Sequence, residues 1–395
     1  MKYCVLIIDG AAGHPIPQRG GKTSLELAQT PELDALAEAG LVGLARTVPP
    51  GMEPSSACAC MSIMGYDPRV YYKGRSAIEA VSMGISIGPE EVAFRCNLVA
   101  VRDGKMWDYS AGHITTEEAA ELIAALEKDL GNADVRFFPG VSYRHIVKLK
   151  GYPEAVEAVC TPPHDIPGKE VSPFLPHGPG SEILIDLMRR SEKVLKEHPV
   201  NLARKSRGEI PATTIWLFWP SGQVPELPPF RQVYGVKASM ISGVDLLRGI
   251  AQMAGMEVLK VPGVTDGPDN DYVAQANGAL QALEKQDLVV VHVEAPDEAG
   301  HGGSIEQKVE AIEKTDREII SRLRGYKADQ LRLLIMPDHP TPIDVQTDTP
   351  EPVPFLLCGP GFPSNKAKRL TEAEARDTGF FVEAGYGIIN KLIKT

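Results

Sequence analysis

Short apolar runs, each cut off by a polar residue and a turn signal, set the rhythm of this chain. Tyr3 to Ile8 is apolar and stops at Asp9-Gly10, Leu288 to Val293 is rich in β-branched residues, and Leu331 to Met336 ends at Pro337-Asp338-His339-Pro340. Runs this short and this apolar predict buried strands. Helical periods alternate with them. Thr30-Pro31-Glu32 opens a helix that Gly40 closes, with Thr as cap, Pro at the first position and an acid in the first turn. A strand follows at Leu41 to Val48. Further on, strands at 237–241 and 256–261 flank a helix at 242–253, and helices are expected at 271–285 and 304–324. A strand at Val353 to Cys358 and a C-terminal helix complete the pattern. Such alternation predicts an α/β fold around an open sheet.

The texture changes in the middle. From about Glu90, strands at 92–101, 134–138 and 143–149 surround a helical pattern at 116–130, and a long amphipathic helix at 180–197 precedes a strand near 214–218. One domain split by an insertion fits this order better than two domains in series. The expected division is a core made of 1–88 and 235–395 and an inserted α+β domain at 89–234.

Composition narrows the class. The 395 residues, 43% hydrophobic and 24% charged, can bury a substantial core. A net charge of −11 without a basic run argues against nucleic acid or an anionic membrane surface as partner. The first strand meets Asp9 too early to be a signal peptide, and no stretch approaches the roughly 18 apolar residues of a membrane span, so a cytoplasmic location is expected. The six scattered cysteines read as buried thiols, since Cys58-Ala59-Cys60 has no second pair to complete a zinc site. Gly20-Gly21-Lys22-Thr23 ends like a phosphate-binding loop, but Ile16 stands where such a loop needs glycine.

Chemistry concentrates at the strand ends. Asp9, Asp297 and Asp338 follow three predicted strands, and His301 and His339 accompany two of them. In an open α/β sheet the crevice at those ends binds ligands, and carboxylates gathered there repel one another unless a cation neutralises them. One or two metals are the inference. For Asp297 and His301 alone, an acid capping a turn beside a surface imidazole is the plainer alternative. Ser55 and Ser56 sit where a short helix ending at Gly65 should begin, a place suited to phosphate or to simple capping. The middle section holds Arg95, His113, Arg144, His145, His164 and Arg204, from which an acidic protein would have to assemble any anion site.

An ordered set of motifs carries a resemblance. Leu-Ile-Ile-Asp-Gly at 6–10, Thr-Pro-Glu-Leu-Asp-Ala-Leu-Ala at 30–37, the Ser56 loop ending Ser-Ile-Met-Gly-Tyr-Asp-Pro, Ala-Pro-Asp-Glu-Ala-Gly-His at 295–301 and Asp-His-Pro-Thr-Pro at 338–342 resemble the archaeal-type cofactor-independent phosphoglycerate mutases of the alkaline phosphatase superfamily. The likeness spans nearly the whole chain. It implies an alkaline phosphatase-like core with an inserted lid, and two divalent ions, manganese, magnesium or zinc. Asp9, Asp338 and His339 would hold one ion with the nucleophile Ser56, and Asp297 and His301 the other. The implied reaction exchanges 3-phosphoglycerate and 2-phosphoglycerate through a phosphoserine, with a small phosphorylated metabolite as partner and homo-oligomer formation left open. Arg75, Arg95 and Arg144, then His113 and His145, are the expected substrate contacts.

Three departures from the pattern bear on this. Asp348 stands where the family has a third imidazole for the Asp297/His301 ion, which favours manganese or magnesium over zinc. Ala57 and Cys60 replace an acid and an amide near the serine. Ser-Ala-Gly-His at 110–113 and Glu294 replace cationic motifs, and with Arg-Cys-Asn-Leu-Val at 95–99 they look more like a bacterial branch proposed to be homoserine kinases. A homoserine kinase-like phosphotransferase is therefore one alternative, and a diverged, non-catalytic phosphate- or metal-binding protein another.

Overall fold

A computed structural model of the protein describes residues 1–223, 226–326 and 329–394. In chain order the strands are β1 (Lys2–Ile8), β2 (Leu41–Ala45), β3 (Glu91–Arg102), β4 (Lys105–Asp108), β5 (Val135–Phe138), β6 (Arg144–Lys150) and β7 (Thr214–Ser221). Then come β8 (Ala238–Ile241), β9 (Glu257–Val258), β10 (Leu288–Val293), β11 (Leu331–Met336), β12 (Val353–Cys358) and β13 (Phe381–Val382). The chain forms two compact units, Met1–Tyr72 with Glu226–Thr395, and Lys73–Pro225. The architecture is mixed α/β.

The first unit is built on an eight-stranded sheet in the order β13-β2-β12-β11-β1-β10-β8-β9. Its centre is parallel: β1 lies between β11 and β10, with Ile7 opposite Met336 and Ile8 opposite Val293. All three strands are buried along their length apart from Lys2, which is why they read as continuous apolar runs. This register brings three chain reversals to one edge. Asp9, the segment from Glu294 and the segment from Pro337 leave the sheet side by side.

Two expectations change. The strand at 256–261 shrinks to Glu257–Val258, and Leu259 N still bonds Met240 O before Pro262 interrupts the pairing. The segment after β10, where the sequence alone also allows Asp297 to cap a turn, is a helix, Ala295–His301, with Pro296 in its first turn. That helix places Asp297 and His301 one turn apart on one face. The helix expected at 304–324 continues through a π-helical turn, Thr315–Ile320, between Ile305–Lys314 and Ser321–Arg324.

The second unit carries a five-stranded sheet, order β4-β3-β6-β5 with β7 on the other side of β3. One face of β3, with Phe94, Cys96 and Leu98, joins a core with Leu122, Leu126, Leu184 and Leu187 from the helices Thr116–Leu130 and Ser181–Lys196. On the other face Ala93 packs with Ala80 of the helix Arg75–Ser82. Arg95 and Asn97 share that face by the alternation of a strand.

Candidate metal and phosphoryl-transfer site

At the parallel edge of the first unit, Asp9, Asp338 and His339 are completely buried and Asp297 nearly so. His339 Nε2 lies 3.5 Å from Asp9 Oδ1, 3.3 Å from Asp338 Oδ2, 3.4 Å from Asp348 Oδ2 and 3.3 Å from Ser56 Oγ. A second group adjoins it: His301 Nε2 is 3.2 Å from both Asp297 Oδ2 and Asp348 Oδ1. Donor atoms of a cation bound at about 2.1 Å stand roughly 3–3.5 Å apart, so both groups have the spacing of a ligand set. The two sets Asp9/Asp338/His339 and Asp297/His301/Asp348 could each hold a metal ion.

Backbone and outer hydrogen bonds aim these groups. Asp338 Oδ1 accepts from Gly10 N at 3.2 Å and His339 N at 2.9 Å, leaving Oδ2 toward the cluster. His339 Nδ1 faces Pro340 O at 3.3 Å and Thr341 Oγ1 at 3.2 Å, and His301 Nδ1 faces Gln346 O at 3.1 Å. Carbonyl acceptors at Nδ1 assign the proton there and turn the Nε2 lone pairs inward, as a metal-binding imidazole requires. Asp9 Oδ1 accepts no hydrogen bond among the described residues although it is buried. A buried carboxylate oxygen left open in this way fits a cation.

The electrostatics agree. Burial, reinforced by Asp338, Glu294 and Asp297, pushes the Asp9 carboxyl well above the usual range. Burial opposes ionisation of Asp297 too, but the hydrogen bond from His301 and the charges of His339 and His301 outweigh it and hold Asp297 at about 2. His301 is raised to about 11 by Asp297 and Asp348, against the effect of burial. Without a cation, the imidazoles must carry the positive charge that the carboxylates demand.

Several contributing residues escaped the sequence reading. His292, the single polar residue in the run that forms β10, reaches Asp9 Oδ2 with Nε2 at 2.6 Å while Ser242 Oγ meets its Nδ1 at 3.1 Å. Lys308, with no exposed surface, donates from Nζ to Ala12 O at 3.0 Å and Thr341 O at 2.7 Å, tying the loop after β1 to the loop after β11. Thr341 Oγ1 hydrogen-bonds Asp297 Oδ1. Cys60, one helical turn beyond Ser56, puts its thiol 3.5 Å from Asp338 Oδ2. Ser56 itself begins the helix Ser56–Ile63, and the capping role falls to Ser55, whose Oγ accepts from Cys58 N at 3.3 Å.

In the second unit, Glu79 gathers two of the candidate arginines. Arg75 Nε donates to Glu79 Oε1 at 2.8 Å, Arg95 Nη1 pairs with Glu79 Oε2, and the Trp219 ring lies under both guanidinium groups, 4.5 and 6.0 Å from its centroid. Arg144 stands opposite Asn97 in the β3–β6 register and so shares their face. His113 lies 6.1 Å from the Tyr143 ring, which the Arg144 guanidinium also faces at 5.9 Å. His145 is turned the other way, 1% exposed, with Nδ1 accepting from Gly140 N at 3.0 Å. Arg204 is spent on Ile210 O, Ala111 O and Glu118.

A family model described as 2,3-bisphosphoglycerate-independent phosphoglycerate mutase matches residues 37–201. A Methanothrix thermoacetophila protein of that name is 48% identical over 396 residues, covering 100% of both chains. Among solved structures, a Pyrococcus horikoshii protein superimposes with a TM-score of 0.84 at 27% identity, over 100% of this chain and 96% of its own. The cofactor-independent phosphoglycerate mutase of Thermoplasma acidophilum gives 0.65 at 24% identity, over 100% and 99%, a likeness of fold. This chain belongs to the 2,3-bisphosphoglycerate-independent phosphoglycerate mutase family.

Proposed function

We propose that this protein interconverts 3-phosphoglycerate and 2-phosphoglycerate through a phosphoserine at Ser56. The observation that carries the reading is the placement of Ser56 Oγ, 3.3 Å from His339 Nε2, at the start of a helix and beside the buried carboxylates. Asp9, Asp338 and His339 with Ser56 would hold one divalent ion, and Asp297, His301 and Asp348 the other. Bound there, the ions would lower the pKa of the serine hydroxyl and offset charge on the transferring phosphoryl group. The oxygen-rich donor set of Asp348 favours manganese or magnesium.

Ser56 Oγ forms the bond to phosphorus as the bond to one glycerate oxygen breaks. The neighbouring glycerate hydroxyl then attacks the phosphoserine, and Ser56 leaves. With Cys58 N capped by Ser55 Oγ, the N–H groups of Ser56 and Ala57 are the first-turn donors left for a phosphoryl group on that serine. Arg75, Arg95 and Arg144 share one face within the second unit and are the candidate cationic donors for an anion there. The test is phosphorus NMR of the manganese-loaded protein with 3-phosphoglycerate and no added bisphosphoglycerate, together with mass analysis of acid-quenched protein. Conversion to 2-phosphoglycerate and phosphate on the Ser56 peptide are expected. Conversion that survives Ser56→Ala, or none with manganese or magnesium, refutes the reading.

A further inference from the structure

Thr341 touches both candidate ligand sets without belonging to either. Its hydroxyl donates to Asp297 Oδ1 of one set and lies 3.2 Å from His339 Nδ1 of the other, which carries a proton when Nε2 points into the cluster. The side chain has no exposed surface. Its backbone is pinned on both sides, by Thr341 N donating to Ala12 O at 3.1 Å and by Lys308 Nζ donating to Thr341 O at 2.7 Å. A Cβ at Gly10 would sit 2.6 Å from Thr341 Oγ1 and 2.4 Å from Asp297 Oδ1, so nothing else fits into this contact.

We propose that Thr341 is a positioning residue that couples the two cation sites, so that filling either one tightens the other; this rests on the two-cation reading above. A cation on His339 Nε2 makes Nδ1–H a stronger donor to the threonine oxygen. The hydroxyl so polarised is a stronger donor to Asp297 Oδ1, and it holds Oδ2 toward His301. The reverse follows by linkage, since an Asp297 fixed by its own cation fixes the hydroxyl that receives His339.

The experiment is calorimetric titration of the chelator-treated full chain with Mn²⁺ alone, for wild type, Thr341→Val and Thr341→Ser. Wild type should take up two ions, with the first tightening the second by a factor of about 5 to 100. Thr341→Val should bind two ions independently, one of them weaker by about 10- to 100-fold, and Thr341→Ser should restore the coupling. Wild-type affinities and coupling in Thr341→Val would overturn the proposal. If that variant does not fold, Thr341→Ala makes the same comparison with the same two outcomes. A wild-type chain that binds fewer than two ions would overturn the two-cation reading and the coupling with it, whereas two uncoupled ions would overturn the coupling alone.

Discussion

Asp348 Oδ1 lies 3.2 Å from His301 Nε2, and the second oxygen of the same carboxylate lies 3.4 Å from His339 Nε2. One acid thus serves as the seam of the cluster, in a position where the sequence resemblance leads one to expect an imidazole. Asp348→Asn removes the charge and keeps the shape. It is expected to weaken Mn²⁺ binding by about 10- to 100-fold, measured by equilibrium dialysis, and Asp348→His to shift preference toward zinc.

Gly10 is a position where a side chain has no room. Its φ is +59°, and an added Cβ would stand 2.8 Å from the Asp297 backbone as well as against the Asp297 and Thr341 side chains. Gly10→Ala should therefore abolish tight binding of at least one cation while the far side of the sheet stays folded. Metal analysis after gel filtration, with circular dichroism as control, checks this.

Lys308→Met should cost stability out of proportion to the change in volume. The substitution strands the Thr341 carbonyl, at roughly 1–3 kcal/mol if water does not replace the ammonium, while Ala12 O keeps only the bond from Thr341 N. Urea unfolding of the metal-free chain reads the loss.

Glu79 and Arg95 form a buried pair, with side chains 8% and 10% exposed, and Arg75 is the second cation on the same carboxylate. Burial works against the Glu79 charge, but Arg95 and Arg75 prevail and lower it to about 2. Removing one partner leaves the other charge buried, so Glu79→Gln is expected to destabilise the protein by about 3–5 kcal/mol. Denaturant midpoints of wild type and variant decide it.

Acid should act on the second unit through His145. Burial, with Arg95 adding, lowers its folded value to about 3 from the ordinary 6.5. Below 6.5 the unfolded chain takes up a proton that the folded chain refuses. The stability is therefore intact above 6.5 and lost progressively as pH falls toward 3. His145→Asn retains an acceptor for Gly140 N and should flatten the upper part of that loss, between about pH 6.5 and 4.5, in urea titrations at stepped pH.

The central strands were legible because each is short, apolar and stopped by an acid, and the parallel register of β1 with β10 and β11 turns three such stops into one site. The helix at Ala295–His301 was not, since Pro296 and Gly300 read as a turn when the packing that holds a short helix is invisible. Thr341 and Lys308 escaped for a related reason. A lysine on an amphipathic helix reads as solvated, and nothing local says that two loops from distant parts of the chain will close over it. Arg144 and His145 show the limit of treating neighbours alike: a strand sends adjacent side chains to opposite faces, one beside Arg95 and one into the interior.

The order of the sheet also fixes when the protein can first capture a cation. Strand β1 precedes its neighbours β10 and β11 by a long stretch of chain, since they begin only at Leu288 and Leu331. The second unit, whose core residues run from Val92 to Phe218, is complete well before then. A nascent chain therefore holds Asp9 and Ser56 without their partners until β10 and β11 have been synthesised. Early on it has no cage in which a wrong ion could be trapped, and the arrival of β10 and β11 both closes the sheet and creates the affinity.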